Sequence, residues 1–147
     1  MSANERVART RAEAFRADHG LGERPLGDLF ELAHTALGVD ALVIPAGEAE
    51  HGLSMLDPAT GRVVIVVAAT PHPMRQRSSV AHEIGHVVAD DLLADDPPMP
   101  GTRGPAEIQA DAFARHLLLP VPALQARFGS APAGVGRADL ADVVQEF

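Results

Sequence analysis

The sequence predicts an α+β fold, and three observations predict it. Apolar residues recur three and four apart in segments 3–19, 25–37, 78–93 and 105–119, the period of a half-buried helix. Between the second and third of these the pattern changes to β-branched runs broken by turn residues, the mark of strands. The third observation is His82-Glu83-Ile84-Gly85-His86, an H-E-x-x-H pattern. Histidines at i and i+4 lie on one helix face, where both imidazoles can reach one metal ion.

Composition narrows the possibilities. The chain has 147 residues, 46% of them apolar, enough for one domain with its own core over residues 1–147. Its net charge is −8 and it has no basic stripe, which disfavours direct nucleic-acid binding and an anionic membrane surface. It lacks an apolar run of membrane-spanning length, and its first eleven residues are charged rather than signal-like, so a cytoplasmic location is expected. Cysteine is absent, which leaves histidine and carboxylates as the strong metal ligands.

The elements follow in order. Residues 3–19 suit a surface helix with a narrow stripe of Val7, Ala8, Ala14 and Phe15, ended by Gly20. Residues 25–37 suit a second helix, with Pro25 in its first turn and Gly38 past its end. Leu26, Leu29, Phe30, Ala33 and Leu37 form its buried side, and His34 beside them is expected to be structural. Strands are expected over 39–44, 52–56 and 62–68, in a small antiparallel sheet. The turn Asp57-Pro58-Ala59-Thr60-Gly61 joins the last two as a hairpin. The unbroken run Val63 to Val67 suggests a strand covered on both faces.

A loop through Pro71 and Pro73 leads to the motif helix, expected over 78–93 with Ser78 or Ser79 as its cap. Val80, Ile84, Val87 and Val88 form its apolar stripe, with His82 and His86 on roughly the other side. Gly85 costs about 1 kcal/mol against Ala in a helix, which is tolerable where something passes close. After a loop over 94–104, Pro105 opens a helix to about Leu119, stopped by Pro120 and Pro122. The tail, 121–147, carries a short helix near 123–128 and a last one from about Arg137.

A catalytic zinc site takes three protein ligands and leaves one position for water. His82 and His86 supply two. Glu107, in the first turn of the next helix, is the expected third. Asp111 lies one turn on and shares its face, so it can accept the outer ring N–H of a ligand histidine. The plainer reading makes both acids solvated charges at a helix N-terminus. His116 is the rival third ligand, but nine residues from Glu107 it faces the opposite side of the helix. Glu83, next to the histidine face, can take a proton from a water on the ion.

Three stretches resemble the ImmA/IrrE family of metallo-endopeptidases. They are RQRSSVAHEIGH (75–86), EIQADAFARHLLLP (107–120) and, less specifically, RPLGDLFELAHTALGVD (24–40) followed by GLSML and the β-branched strand. Together they cover about residues 24–120. The resemblance implies a zincin-like domain in which a zinc helix is followed by a glutamate-bearing helix. It implies His82, His86 and Glu107 as zinc ligands and Glu83 as the base. Family members are cytoplasmic, and several cleave a helix-turn-helix repressor encoded beside them. Two features depart from the family pattern. Ser78 or Ser79 stands where the family has an aromatic residue, and ADLADVVQEF resembles the start of a family element that normally continues.

The function expected is therefore a zinc-dependent endopeptidase acting on a protein, with a helix-turn-helix repressor as the expected partner. A regulatory protein that grips its partner and cuts little is the alternative, and a structural zinc fold is a third reading. Manganese or another divalent ion also suits a histidine–carboxylate site. An extended substrate could pair with GLSML as an edge strand. The tetrahedral oxyanion needs a second donor, and tyrosine is absent, so His72, His51 and Arg75 are the candidates, each otherwise a surface residue.

Overall fold

Five consecutive β-branched residues make β3 (Val63–Ala68) the strand that gains most from neighbours on both edges, and it takes the centre of the sheet. The computed structural model describes residues 1–46, 52–92, 103–129 and 134–147. Its order is α1 (Ala3–Asp18), α2 (Leu29–Leu37), β1 (Asp40–Ile44), β2 (Gly52–Leu56), β3, α3 (Pro73–Ala89), α4 (Pro105–Leu118), α5 (Val121–Phe128) and α6 (Arg137–Glu146). This is the mixed α+β arrangement the sequence predicts.

The hairpin β2–β3 is antiparallel, with Ser54 opposite Ile65. Asp57 organises its turn, accepting from the Ala59 N–H at 2.9 Å and the Thr60 hydroxyl at 2.6 Å. The sheet as a whole is not antiparallel, which corrects the sequence expectation. β1 pairs with β3 in parallel, Asp40 opposite Val64. The chain reverses direction twice between β1 and β3, so the two run the same way, and the most apolar strand separates the other two.

β3 is also covered less than its composition implies. Ile65 and Val67 are fully buried among the helices, whereas Val64 and Val66 on the opposite face are half-buried. Their neighbours there, Leu42 and Leu53, are 53% and 56% exposed. The helical core lies on one side: Val80, Ala81 and Ile84 of α3, which packs on β3, share one core cluster with Ile65, Val67 and with Ala112, Phe113 and Leu117 of α4.

α1 is no surface helix. Ala8, Ala12, Phe15 and Arg16 are buried, and Phe15 meets Phe113 of α4 edge-on at 6.1 Å. The alanines carry little hydrophobic signal, yet their small size lets two helices approach closely. Arg16 closes the end of α4: its Nε donates to the Leu117 carbonyl at 2.8 Å and its Nη1 to the Gly22 carbonyl at 2.6 Å. Burial pulls the Arg16 pKa down. α2 begins at Leu29 rather than near Pro25, because Asp28 caps it through the Phe30 N–H at 2.8 Å. His34 is exposed and bonds Asp40 at 3.1 Å, in keeping with a structural role. Among the described residues no helix is long and apolar enough to cross a membrane.

Glu5 ties α1 to α4 through His116 at 2.8 Å and Arg115 at 2.7 Å. The His116 hydrogen bond is the main cause that lowers the Glu5 pKa from its ordinary 4.5, against a smaller desolvation effect. A depressed carboxylate stabilises the fold above its unfolded value and loses that contribution as pH falls through the folded one. Urea midpoints are therefore expected to fall more steeply for the native chain than for Glu5→Gln as the pH drops below about 4.5. Parallel curves would show that this link adds nothing to acid stability.

Candidate metal centre

α3 starts five residues earlier than its apolar stripe suggests. Pro73 occupies its first turn, and His72 holds the N-cap position without a side-chain bond. Ser79 is not a cap: its hydroxyl donates back to the Arg75 carbonyl at 3.0 Å. The helix ends at Ala89, four residues before the expected Leu93, because Asp90 turns left-handed at φ 54°. Aspartate is among the few residues besides glycine that visit this region. The turn brings Asp91 back beneath the helix, where its Oδ1 accepts from His86 Nδ1 at 2.8 Å.

α4 brings the second set of groups. Asp111 Oδ1 accepts from His82 Nδ1 at 2.7 Å, and Arg103 pairs with the other Asp111 oxygen. Both imidazoles thus spend Nδ1 on a carboxylate and turn Nε2 toward a common point. The two Nε2 atoms lie 3.1 Å apart, and each is 3.3 Å from a different oxygen of Glu107. Zinc–nitrogen bonds of about 2.0–2.1 Å at a tetrahedral angle place two nitrogens roughly 3.3 Å apart. The group His82, His86 and Glu107 therefore fits a divalent ion, all three half-buried at the base of a cleft. Carboxylate partners on both ligand imidazoles suit such a site, since they orient the rings and raise their basicity.

Gly85 makes this approach of α3 to α4 possible. A methyl group there would lie 3.0 Å from Phe113 Cδ1 and 3.3 Å from the Ala110 Cα. Phe113 is buried and Ala110 offers backbone, so neither yields cheaply. Gly85→Ala gains about 1 kcal/mol in helix propensity but overpacks the contact, at about 1–3 kcal/mol. The expected outcome is a lower melting temperature together with weaker zinc affinity, read by calorimetry and metal titration. A variant more stable than the native chain would show that the contact can relax.

Glu83 is 5% exposed and sits beside the histidine face. The Ser54 hydroxyl of β2 donates to its Oε2 at 2.6 Å. The cleft of about 860 Å³ is lined by Gly52, Leu53 and Ser54 of β2, by Ser78, Ser79, His82, Glu83 and His86 of α3, and by Asp91, Arg103, Glu107 and Asp111. That is within the roughly 300–1,000 Å³ of ordinary ligand sites.

The three expected oxyanion donors fare differently. His72 and Arg75 are exposed and lie outside the cleft lining, because the earlier helix start carries them to its first turn. His51 lies outside the described residues. His116, bonded to Glu5, faces away from the metal group as its spacing requires. Sequence reasoning missed Asp91, Ser54 and Arg103. The tandem Asp90-Asp91 after the apolar stripe is a helix-end signal that could have revealed the first. Nothing local marks the other two.

A family model for the IrrE N-terminal-like domain of the M78 peptidases matches residues 29–131, well over half of the chain. No curated protein gives a significant match.

Proposed function

This chain belongs to the M78 peptidase family, the ImmA/IrrE family, and on that premise we propose that it is a zinc-dependent endopeptidase acting on a protein substrate in the cytoplasm. The observation that carries the reading is the meeting of His82, His86 and Glu107 in the cleft that Glu83 also lines. A divalent ion bound by that group supplies a Lewis acid that acidifies water and polarises a peptide carbonyl. Glu83 takes the proton from the attacking water and delivers it to the nitrogen of the leaving amine as the C–N bond breaks. Asp111 and Asp91 hold the two imidazoles in the tautomer that turns Nε2 inward.

The sheet order supports an extended substrate. β2 is an edge strand, and its residues 52–54 line the cleft. A peptide laid along β2 gains main-chain hydrogen bonds and is held across the metal group. Arg103 is the cation other than histidine among the described lining residues, and it takes the place of His72 and Arg75 as the candidate partner for the oxyanion.

The proposed partner is a helix-turn-helix repressor, as the family resemblance implies. The net charge of −8 suits a basic protein of that kind and argues against direct contact with nucleic acid. The zinc-loaded protein incubated with a candidate helix-turn-helix repressor should yield discrete fragments in mass spectrometry, and a chelator should stop them. A stable complex without fragments would make the protein a binding regulator instead. Elemental analysis of the protein as purified decides between zinc and manganese.

A further inference from the structure

We infer that Ser54 is a positioning residue for the base, a role that rests on the peptidase reading above. Glu83 is almost wholly buried, and a buried carboxylate must find donors. Ser54 has one hydroxyl proton and two acceptors in reach: Glu83 Oε2 at 2.6 Å and the Glu83 carbonyl at 3.4 Å. The proton goes to the nearer, charged oxygen in a short charge-assisted bond.

Gly52 closes the other side. A methyl group at Gly52 would lie 2.8 Å from Glu83 Oε1 and 3.1 Å from its Cγ. Residues 52 and 54 share one face of β2, because side chains alternate along a strand. Ser54 is held in place by its pairing with Ile65, which is fully buried. A slip of one residue would set Leu53 against the carboxylate. The strand that would receive the substrate thus also grips the base from two sides. Its grip fixes the plane of the carboxylate and leaves the remaining lone pairs to the cleft.

Acetohydroxamate tests this without a substrate. It chelates zinc through two oxygens and sets its O–H within hydrogen-bond reach of a carboxylate beside the ion, so its affinity reports where that carboxylate is held. Zinc content is matched by elemental analysis, and binding is read by calorimetry. Ser54→Ala should weaken acetohydroxamate binding about tenfold, because a carboxylate free to turn away forfeits its own charge-assisted hydrogen bond to the ligand. Ser54→Thr, which keeps the hydroxyl, should restore most of the affinity. In a Glu83→Gln background, Ser54→Ala should cause no further loss. On a cleavable substrate Ser54→Ala should lower kcat and leave KM unchanged.

Native affinity in Ser54→Ala overturns the inference. So does an equal loss in the Glu83→Gln background, or a Ser54→Thr protein of native melting temperature that binds like the alanine variant. The hydroxamate series reads Ser54 even in a protein that cuts nothing, so the two readings fail separately.

Discussion

Glu83→Gln is expected to keep the fold and the metal and to lose cleavage. The amide is nearly the shape of the carboxylate and still accepts from Ser54 through its oxygen. Glu83 is not in the group that converges on the metal position, so zinc content should be native. Removing a buried charge also lifts a desolvation cost, so the melting temperature should hold or rise. Only proton transfer is lost, because an amide cannot take a proton from water near neutral pH. General acid–base catalysis contributes about 10²–10⁴-fold, and the rate should fall by that factor. The measurement pairs metal analysis with the initial rate of cleavage of the proposed protein substrate. A variant that holds native zinc and cuts at the native rate would remove Glu83 from the chemistry and the proposed mechanism with it.

Glu107→Gln should act on the metal instead. It removes an anionic group whose two oxygens each lie 3.3 Å from an imidazole Nε2. Loss of a carboxylate behind a metal-ligating histidine costs about 10–100-fold in affinity, so loss of a ligand should cost more than about 100-fold. Two effects compete in the melting temperature. The metal-free variant should be slightly more stable, because Glu107 and Asp111 no longer repel at one cleft wall. The zinc-bound variant should be much less stabilised. Zinc at about 1,000 times its Kd adds about 4 kcal/mol, and a hundredfold weaker site keeps about 1.4 kcal/mol of it. For a chain of this size the difference is about 5–10 °C. Thermal melts with and without zinc read both effects at once. A zinc-induced shift in Glu107→Gln equal to the native one would place the third ligand elsewhere and leave His82 and His86 without this partner.

Much of this protein is written in short-range order. The helical stripe through Val80 and Ile84 puts His82 and His86 on the outer face of α3, because 3.6 residues per turn bring i and i+4 into line. The same period puts Glu107 and Asp111 on one face of α4 and turns His116 away. The turn from Asp57 to Gly61 sets the hairpin. Each of these follows from neighbours in sequence and does not depend on how the core packs.

What the tertiary structure alone decides lies where distant segments meet. The direction of β1 depends on which strand takes the centre of the sheet, and a local period is silent on that. The importance of α1 depends on Ala8 and Ala12 finding a partner helix close enough to bury them, which their own weak stripe does not announce. Ser54 and Glu83 are 29 residues apart, and only the seating of β2 on α3 brings a hydroxyl to a carboxylate. The physical reason is the same throughout: periodicity says which face of an element is apolar, and only the closing of the core says what stands opposite.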